Sequence, residues 1–453
     1  MITISRSLIR ELKTVFSRGL GITSRQTGPP VEFLVDQHGL QIRTRNQQIA
    51  LEYRLPLEGL EGQQIVSPFG LLRCCHGVKS DPVQLQVEND KIRAEWQDAG
   101  IPQSIEYPVP ECEEFPELPE RLASNESRLM AALGDACETA TTDSARYALD
   151  HLQLRGSIGQ VIGTNGRQLL IQDGFQFPWE GELLIPANRL LCSRELRRGK
   201  SVDVGSTAEW MTLRSGPWTI WLKINEKARF PNVLELVNKR PETVATLQVP
   251  DKDAEFICSA LKPKPFHQGD ADKVTLDLNG EVTVRAREGG QEQQRDYVLC
   301  RSERSGESLR INTSRDYFRR ALKLGFREIN LSGSDTPASC REGDRTYVWA
   351  LLTQAESVQP QSDAIRIEST SVSHQSARAR SSPRGVTEQE RSGQKPDVVA
   401  DQVLTQMKTL CGGFTETVSH IRDLMSQLRE QSQDWRRSLY SDQSVSSKQA
   451  LKI

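Results

Sequence analysis

Hydrophobic positions along the chain follow two rhythms, one of helical period and one of alternation, and the order of the two recurs. Leu8, Leu12, Val15 and Phe16 share one face of a predicted helix. Two strand-like runs follow, VEFLVDQHGLQIRTR at 31–45 and QQIALEYRLP at 47–56, with His38-Gly39 as the expected turn. Then come a proline-led short helix in IVSPFGLLRC at 65–74, two more strands in VQLQVENDKIRAEW at 83–96, and a closing Phe115-Pro116.

The same order returns. Leu129, Leu133 and Cys137 predict a second helix, and SIGQVIGTNGRQLLIQDG at 157–174 a hairpin turning at Asn165-Gly166. LIPANRLLC at 184–192 repeats the proline-led short helix, WMTLRSGPWTIWLKI at 210–224 gives two strands, and Phe230-Pro231 closes the unit. Pro68 and Pro186 are 118 residues apart, Pro116 and Pro231 115 apart. Two landmarks at nearly one offset mark an internal repeat. A third pass begins near Thr246: a strand and helix in 244–262, a hairpin at 273–287 turning at Asn279-Gly280, a helix in 308–325, and closing strands at 328–334 and 346–354. Each unit is therefore expected to be α+β, two short helices over antiparallel sheets. The predicted units are 1–122, 123–243 and 244–354. Similar units meeting edge to edge at a fixed rotation can close into a ring.

Beyond the third unit the pattern changes. Residues 355–396 are rich in Ser, Gln, Glu and Arg without an aromatic, which predicts a flexible linker. In 397–440, Met407, Phe414, Ile421, Leu428 and Trp435 recur every seven residues, which predicts a helical or coiled-coil segment. Residues 441–453 carry no structural pattern.

Net charge is −2 over 453 residues, so the chain as a whole does not advertise a polyanion; a basic face would have to be local. Nine cysteines without a C-x-x-C pair, an N-terminus without an apolar signal core, and no span long enough for a bilayer lead us to expect a reduced cytoplasmic, nucleoid-associated setting with no membrane contact. No phosphate-cradling loop or spaced Cys/His set is present, so neither metal nor cofactor nor catalytic residue is assigned. In Cys74-Cys75-His76, adjacent side chains point apart and rarely share a metal; Gly289-Gly290 reads as a turn.

The second unit, with ARYALDHLQL, QVIGTNGRQLLI, LLIPANRLL and ARFPNVLEL in that order, resembles the bacterial DNA polymerase III sliding clamp (beta subunit), and the resemblance extends over about residues 1–354. It departs at 163–169, where the usual acid is Asn165 and the usual His-Arg is Arg167-Gln168, and in the tail that replaces a short Met-Pro-rich ending. The resemblance implies a non-catalytic homodimeric ring around duplex DNA, with polymerase and clamp-loader subunits docking through short linear motifs. It implies a partner cleft walled by Leu149, Thr164, Gly166, Leu169, Pro231, Leu236, Trp349 and Leu351. It places helices on the inner wall, where the basic residues Arg6, Arg10, Lys13 and Arg18, then Arg194, Arg197, Arg198 and Lys200, then Arg319, Arg320 and Lys323 would meet phosphates without reading bases. Arg25, Arg146 and Tyr147 lie near positions resembling the family's DNA contacts. The competing reading is that these arginines solvate helix faces. A clamp-derived scaffold outside the replisome is the alternative function; a hydrolase would need a site assembled from distant residues.

Overall fold

The computed structural model describes residues 1–56, 62–141, 147–233, 235, 241–262, 272–287 and 294–370. Arg146, Leu236, Gly289-Gly290 and the predicted coiled-coil segment lie outside the described residues. Among the described residues no helix is long and apolar enough to cross a membrane.

The first unit runs β1 (Ile2–Ser5), α1 (Arg6–Gly19), β2 (Val31–Asp36), β3 (Gly39–Arg45), β4 (Ile49–Leu55), β5 (Gln64–Ser67), α2 (Phe69–Cys75), β6 (Pro82–Glu88), β7 (Lys91–Asp98) and β8 (Ile101–Pro108). Helix α1 starts where the Ser5 hydroxyl accepts from the Leu8 amide, and it buries Ile9, Leu12, Val15 and Phe16. The β2–β3 turn is Gln37-His38, one residue earlier than expected: Gly39 already pairs with Asp36.

The second unit repeats the order: β9 (Ala123–Glu126), α3 (Arg128–Thr139), β10 (His151–Arg155), β11 (Gln160–Thr164), β12 (Gln168–Gln172), β13 (Glu182–Pro186), β14 (Ser201–Ser206), β15 (Trp210–Ser215) and β16 (Trp218–Lys223). In place of the expected short helix, this unit has two 3₁₀ turns, Arg189–Cys192 and Glu195–Arg198. The Asn188 side chain caps the first by accepting from the Leu190 amide. The close approach of α3 to β11 requires Gly163, whose place would put a Cβ 2.3 Å from the Ala136 carbonyl oxygen.

The third unit runs β17 (Ala245–Gln248), α4 (Asp251–Ala260), β18 (Lys273–Asp277), β19 (Thr283–Arg287), β20 (Gln294–Val298), β21 (Glu303–Gly306), β22 (Arg310–Ser314), α5 (Arg315–Lys323), β23 (Glu328–Leu331), β24 (Ala338–Glu342) and β25 (Arg345–Trp349). The chain then adds β26 (Ile365–Glu368). The expected linker start at 355 is corrected here: β26 pairs in parallel with β20, so structure continues past that position.

The units are joined by sheets, not by loops alone. Each unit contributes two four-strand blocks: β5-β2-β3-β4 and β1-β6-β7-β8 in the first, with equivalents in the others. β4 pairs antiparallel with β16, fusing blocks of units one and two into an eight-stranded sheet. β12 pairs antiparallel with β25, fusing units two and three into a nine-stranded sheet that also carries β21 at its end. At the first junction Trp218 is 1% exposed. It meets Tyr53 edge-on at 4.8 Å and Phe16 at 6.0 Å. At the second, the Tyr347 hydroxyl donates to Gln168 Oε1 at 2.6 Å and Gln168 Nε2 donates to the Thr139 carbonyl at 3.2 Å, a buried chain from β25 through β12 to the end of α3.

The aromatic-proline landmarks act alike at both junctions. Phe115 packs on the outer sheet face against Trp221 at 5.0 Å, while Phe230 packs against the cluster of Ile162, Leu169, Ile171 and Val233. Trp218→Ala should lower unfolding free energy by about 3–5 kcal/mol, because the void opens between two units. Urea denaturation followed by circular dichroism checks this.

Candidate nucleic-acid interface and partner cleft

Helix α1 sorts its basic residues by face. Arg10 and Arg18 are exposed and Lys13 is half-buried. Burial, followed by the nearby Arg10 and Arg73 guanidinium groups, pushes Lys13 below the ordinary lysine pKa. Burial and then Lys13, Arg6 and Arg10 hold His76 below the usual imidazole value. Burial is the larger cause at both groups, and the neighbouring cations add to it.

A cavity of about 790 Å³ opens between α1 and the second unit, lined by Arg18, Arg189 and Arg194 together with Glu138 and Glu195. Arg194, Arg197, Arg198 and Lys200 are exposed. Arg198 Nη1 reaches Glu11 at 3.2 Å and Arg18 Nη1 reaches Glu195 at 3.4 Å, so two pairs cross between α1 and the 3₁₀ turns. Both pairs are solvent-facing and leave their arginines available to a phosphate at small cost. Arg25 is exposed on the loop before β2; Arg73 donates to the Thr23 and Ser24 carbonyls at 2.8 and 3.0 Å and steadies that loop. Tyr147 is half-buried. Lys323 is exposed at the end of α5.

Three predicted contacts are structural instead. Arg6 is 7% exposed. It donates to the Cys75, Gln97 and His76 carbonyls at 3.2, 2.9 and 3.2 Å and pairs with Asp98 at 3.0 Å, joining α1 to α2 and β7. Arg319 is buried, and its Nε donates to the Cys258 carbonyl at 3.0 Å, tying α5 to α4. Arg320 crosses to α3, pairing with Glu138 at 2.8 Å and donating to Thr139 Oγ1 at 3.0 Å and the Asp135 carbonyl at 2.5 Å. Guanidinium donors engaged at this density are not free to meet a phosphate. Arg189, exposed on the first 3₁₀ turn, joins the basic surface without having been expected there, and half-buried Arg73 supports it through the Thr23–Ser24 loop. Arg73 stands at the end of α2, where a lone arginine gives little sequence signal.

The expected cleft residues divide as well. Leu169 and Pro231 lie at the second junction, where Phe230 and Val233 cover the outer face of β11 and β12. Thr164 serves the β11–β12 turn: it donates to the Gln168 carbonyl at 2.6 Å and accepts from the Gly166 amide at 3.1 Å. Gly166 has φ +84°, and a Cβ there would stand 3.6 Å from Leu149 Cδ1. Trp349 is a correction. It is buried in the third-unit core, with Nε1 donating to Thr313 Oγ1 at 2.9 Å. Leu351 packs against that same core. Strand alternation puts Val348, not Trp349, on the outer face with Leu169. Among the described residues no cluster of His, Cys, Asp or Glu could hold a metal ion.

Units of two helical segments over two sheets (the second segment being a pair of 3₁₀ turns in unit two), thrice repeated and fused edge to edge with basic residues on α1 and those turns, define a clamp fold. By fold the chain is similar to bacterial DNA polymerase III beta sliding clamps. The Pseudomonas aeruginosa beta subunit matches with a TM-score of 0.63 at 17% identity, covering 78% of this chain and 99% of that one. The Bacillus subtilis sliding clamp matches with a TM-score of 0.64 at 14% identity, covering 78% and 98%. The beta chain from Streptococcus pneumoniae matches with a TM-score of 0.61 at 13% identity, covering 78% and 99%. No family model and no curated protein matches the sequence.

Arg6→Ala should destabilise the protein by about 1–3 kcal/mol, because buried carbonyls lose their donor. Lys13→Ala should stay within about 0.5 kcal/mol, as expected of a residue held by few contacts. Thermal melts of the two variants distinguish a structural arginine from a surface-facing cation.

Proposed function

We propose that this protein is a DNA sliding clamp, a non-catalytic processivity factor that encircles duplex DNA without reading its sequence. The observation that carries the reading is the fold match over 78% of the chain, combined with exposed basic side chains on α1 and on the 3₁₀ turns of the second unit. Arg10, Lys13, Arg194, Arg197, Arg198, Lys200 and Lys323 are the residues proposed to face phosphates, with Arg25 and Tyr147 contributing from loops and Arg146 proposed on the sequence resemblance alone. The assembly is a head-to-tail homodimer. Polymerase and clamp-loader subunits dock by short linear motifs at the second junction, around Leu149, Gly166, Leu169 and Pro231, with Val348 added. The setting is cytoplasmic, at the nucleoid.

A second reading, a clamp-derived scaffold outside the replisome, is favoured by one observation: the chain continues past the third repeat and lays β26 on that unit's sheet.

Retention on DNA separates the two. With protein above its dimerisation concentration, a clamp stays on nicked circular plasmid through a high-salt wash and slides off once the plasmid is linearised. Equal retention on both forms would overturn the clamp reading. Arg197→Glu with Arg198→Glu should reduce retention, and the salt slope of low-salt binding should flatten by about 0.9 for each phosphate that the variant no longer neutralises. Leu149→Asp, at a half-buried position, should weaken capture of a polymerase-derived linear motif, read by fluorescence anisotropy, while leaving retention on circular DNA intact.

A further inference from the structure

The repeat assigns each strand edge an expected neighbour. The last strand of the hairpin block in unit one, β4, meets the last strand of the closing block in unit two, β16. The equivalent strand in unit two, β12, meets the equivalent strand in unit three, β25. Two edges of the same two kinds remain: β20 of unit three and β8 of unit one. Among the described residues nothing pairs with the outer edge of β8, whereas the outer edge of β20 is occupied by β26 of the same chain. Both junctions inside the chain are antiparallel, but β26 runs parallel to β20, so it is not a further copy of the junction.

We propose that Ile365–Glu368 is an intramolecular cap on the β20 edge that competes with the β8 edge of a second copy of this chain. The proposal rests on the clamp reading for its partner, and on the strand pairing alone for the cap. The cap is built to hold and to let go. Four residue pairs join it to β20, from Arg295 opposite Ile365 to Val298 opposite Glu368. Ile367 packs on the third-unit core, and the Ser369 amide donates to the Val298 carbonyl at 2.9 Å while its hydroxyl accepts from the Cys300 amide at 2.9 Å. Arg301 Nη1 also donates to the Ser369 carbonyl at 3.3 Å and Thr370 Oγ1 to Cys300 Sγ at 3.8 Å, while the ion pair of Arg366 with Glu281 at 2.8 Å is exposed on both sides. A parallel strand of four residues with one apolar contact is a modest holder. The competing edge is also limited: Pro102 and Pro108 remove the backbone donors at two of the eight positions of β8. A short cap against a short edge makes the outcome adjustable by concentration.

When the binding-competent form is a small fraction of the population, the apparent dissociation constant rises by the reciprocal of that fraction. Removing the cap should therefore tighten dimerisation by about tenfold or more. The experiment is sedimentation equilibrium on the full chain, beside the single variants Ile367→Asp and Arg366→Glu and a quadruple variant I365G, R366S, I367G and E368S that removes the strand outright. Hydrogen exchange at the β20 amides reports whether the edge is open. The expected result is open β20 amides and a dimer dissociation constant at least about tenfold lower, reversed when Ser104→Pro is added on β8. Open amides with an unchanged or weaker dimer would overturn the cap, as would a tightened dimer indifferent to Ser104→Pro. A tightened, β8-dependent dimer that fails to stay on circular DNA would support the cap and remove the clamp reading instead.

Discussion

A strand at the end of a sheet leaves alternate backbone N–H and C=O groups without partners, and everything in this molecule is arranged around where those groups go. Within the chain they go to the next unit. Five residue pairs of β4 with β16 and five of β12 with β25 convert three separate domains into two long sheets. Side chains follow the same seam. Trp218 is buried where the first sheet crosses from unit to unit, and the Tyr347–Gln168–Thr139 chain satisfies polar groups where the second one does. A buried amide with both ends engaged fixes register as well as contributing stability, because a slip would strand it. Burial holds the Tyr347 hydroxyl well above the ordinary phenol pKa, so it stays a donor.

Arginine performs two distinct tasks on this scaffold. On the faces that meet neighbouring elements, Arg6, Arg319 and Arg320 saturate carbonyl oxygens at the ends of helices, replacing water with donors of fixed geometry. On the opposite faces, Arg10, Arg194 and Arg197 extend into solvent with few partners. The division lets a chain of net charge −2 carry a local basic surface without building it from its structural arginines.

The repeat is legible in the sequence because its markers are residues with strong local consequences. Pro68 and Pro186 stand where a strand gives way to a turn of helix, and Phe115 and Phe230 each place an aromatic ring on a junction sheet. What stays hidden has equally local causes. β8 reads IPQSIEYP and is largely exposed, so it lacks the alternation that marks a half-buried strand. β26 is four residues long within a polar stretch, and only its pairing reveals it. The structural role of Arg6 does have a signal: it stands three and six residues before Ile9 and Leu12, on the apolar stripe of α1. Charge composition counts it as surface, whereas helix periodicity buries it. Size alone misplaces Trp349, since strand parity sends Val348 outward and Trp349 into the core.

The β4–β16 pairing also governs the protein while it is being made. β4 ends at Leu55 and its partner begins at Trp218, so about 160 residues must be synthesised before that edge is satisfied. At translation rates of about 5–20 residues per second, a nearly complete first unit stands on the ribosome for roughly ten to thirty seconds with an apolar strand unmatched. Ile49, Ala50 and Leu51 are then open to any other nascent chain nearby. Polysome crowding, codon pace and chaperone supply thus bear on the yield of this protein through one seam, and the second seam repeats the delay on the stretch between β12 and β25.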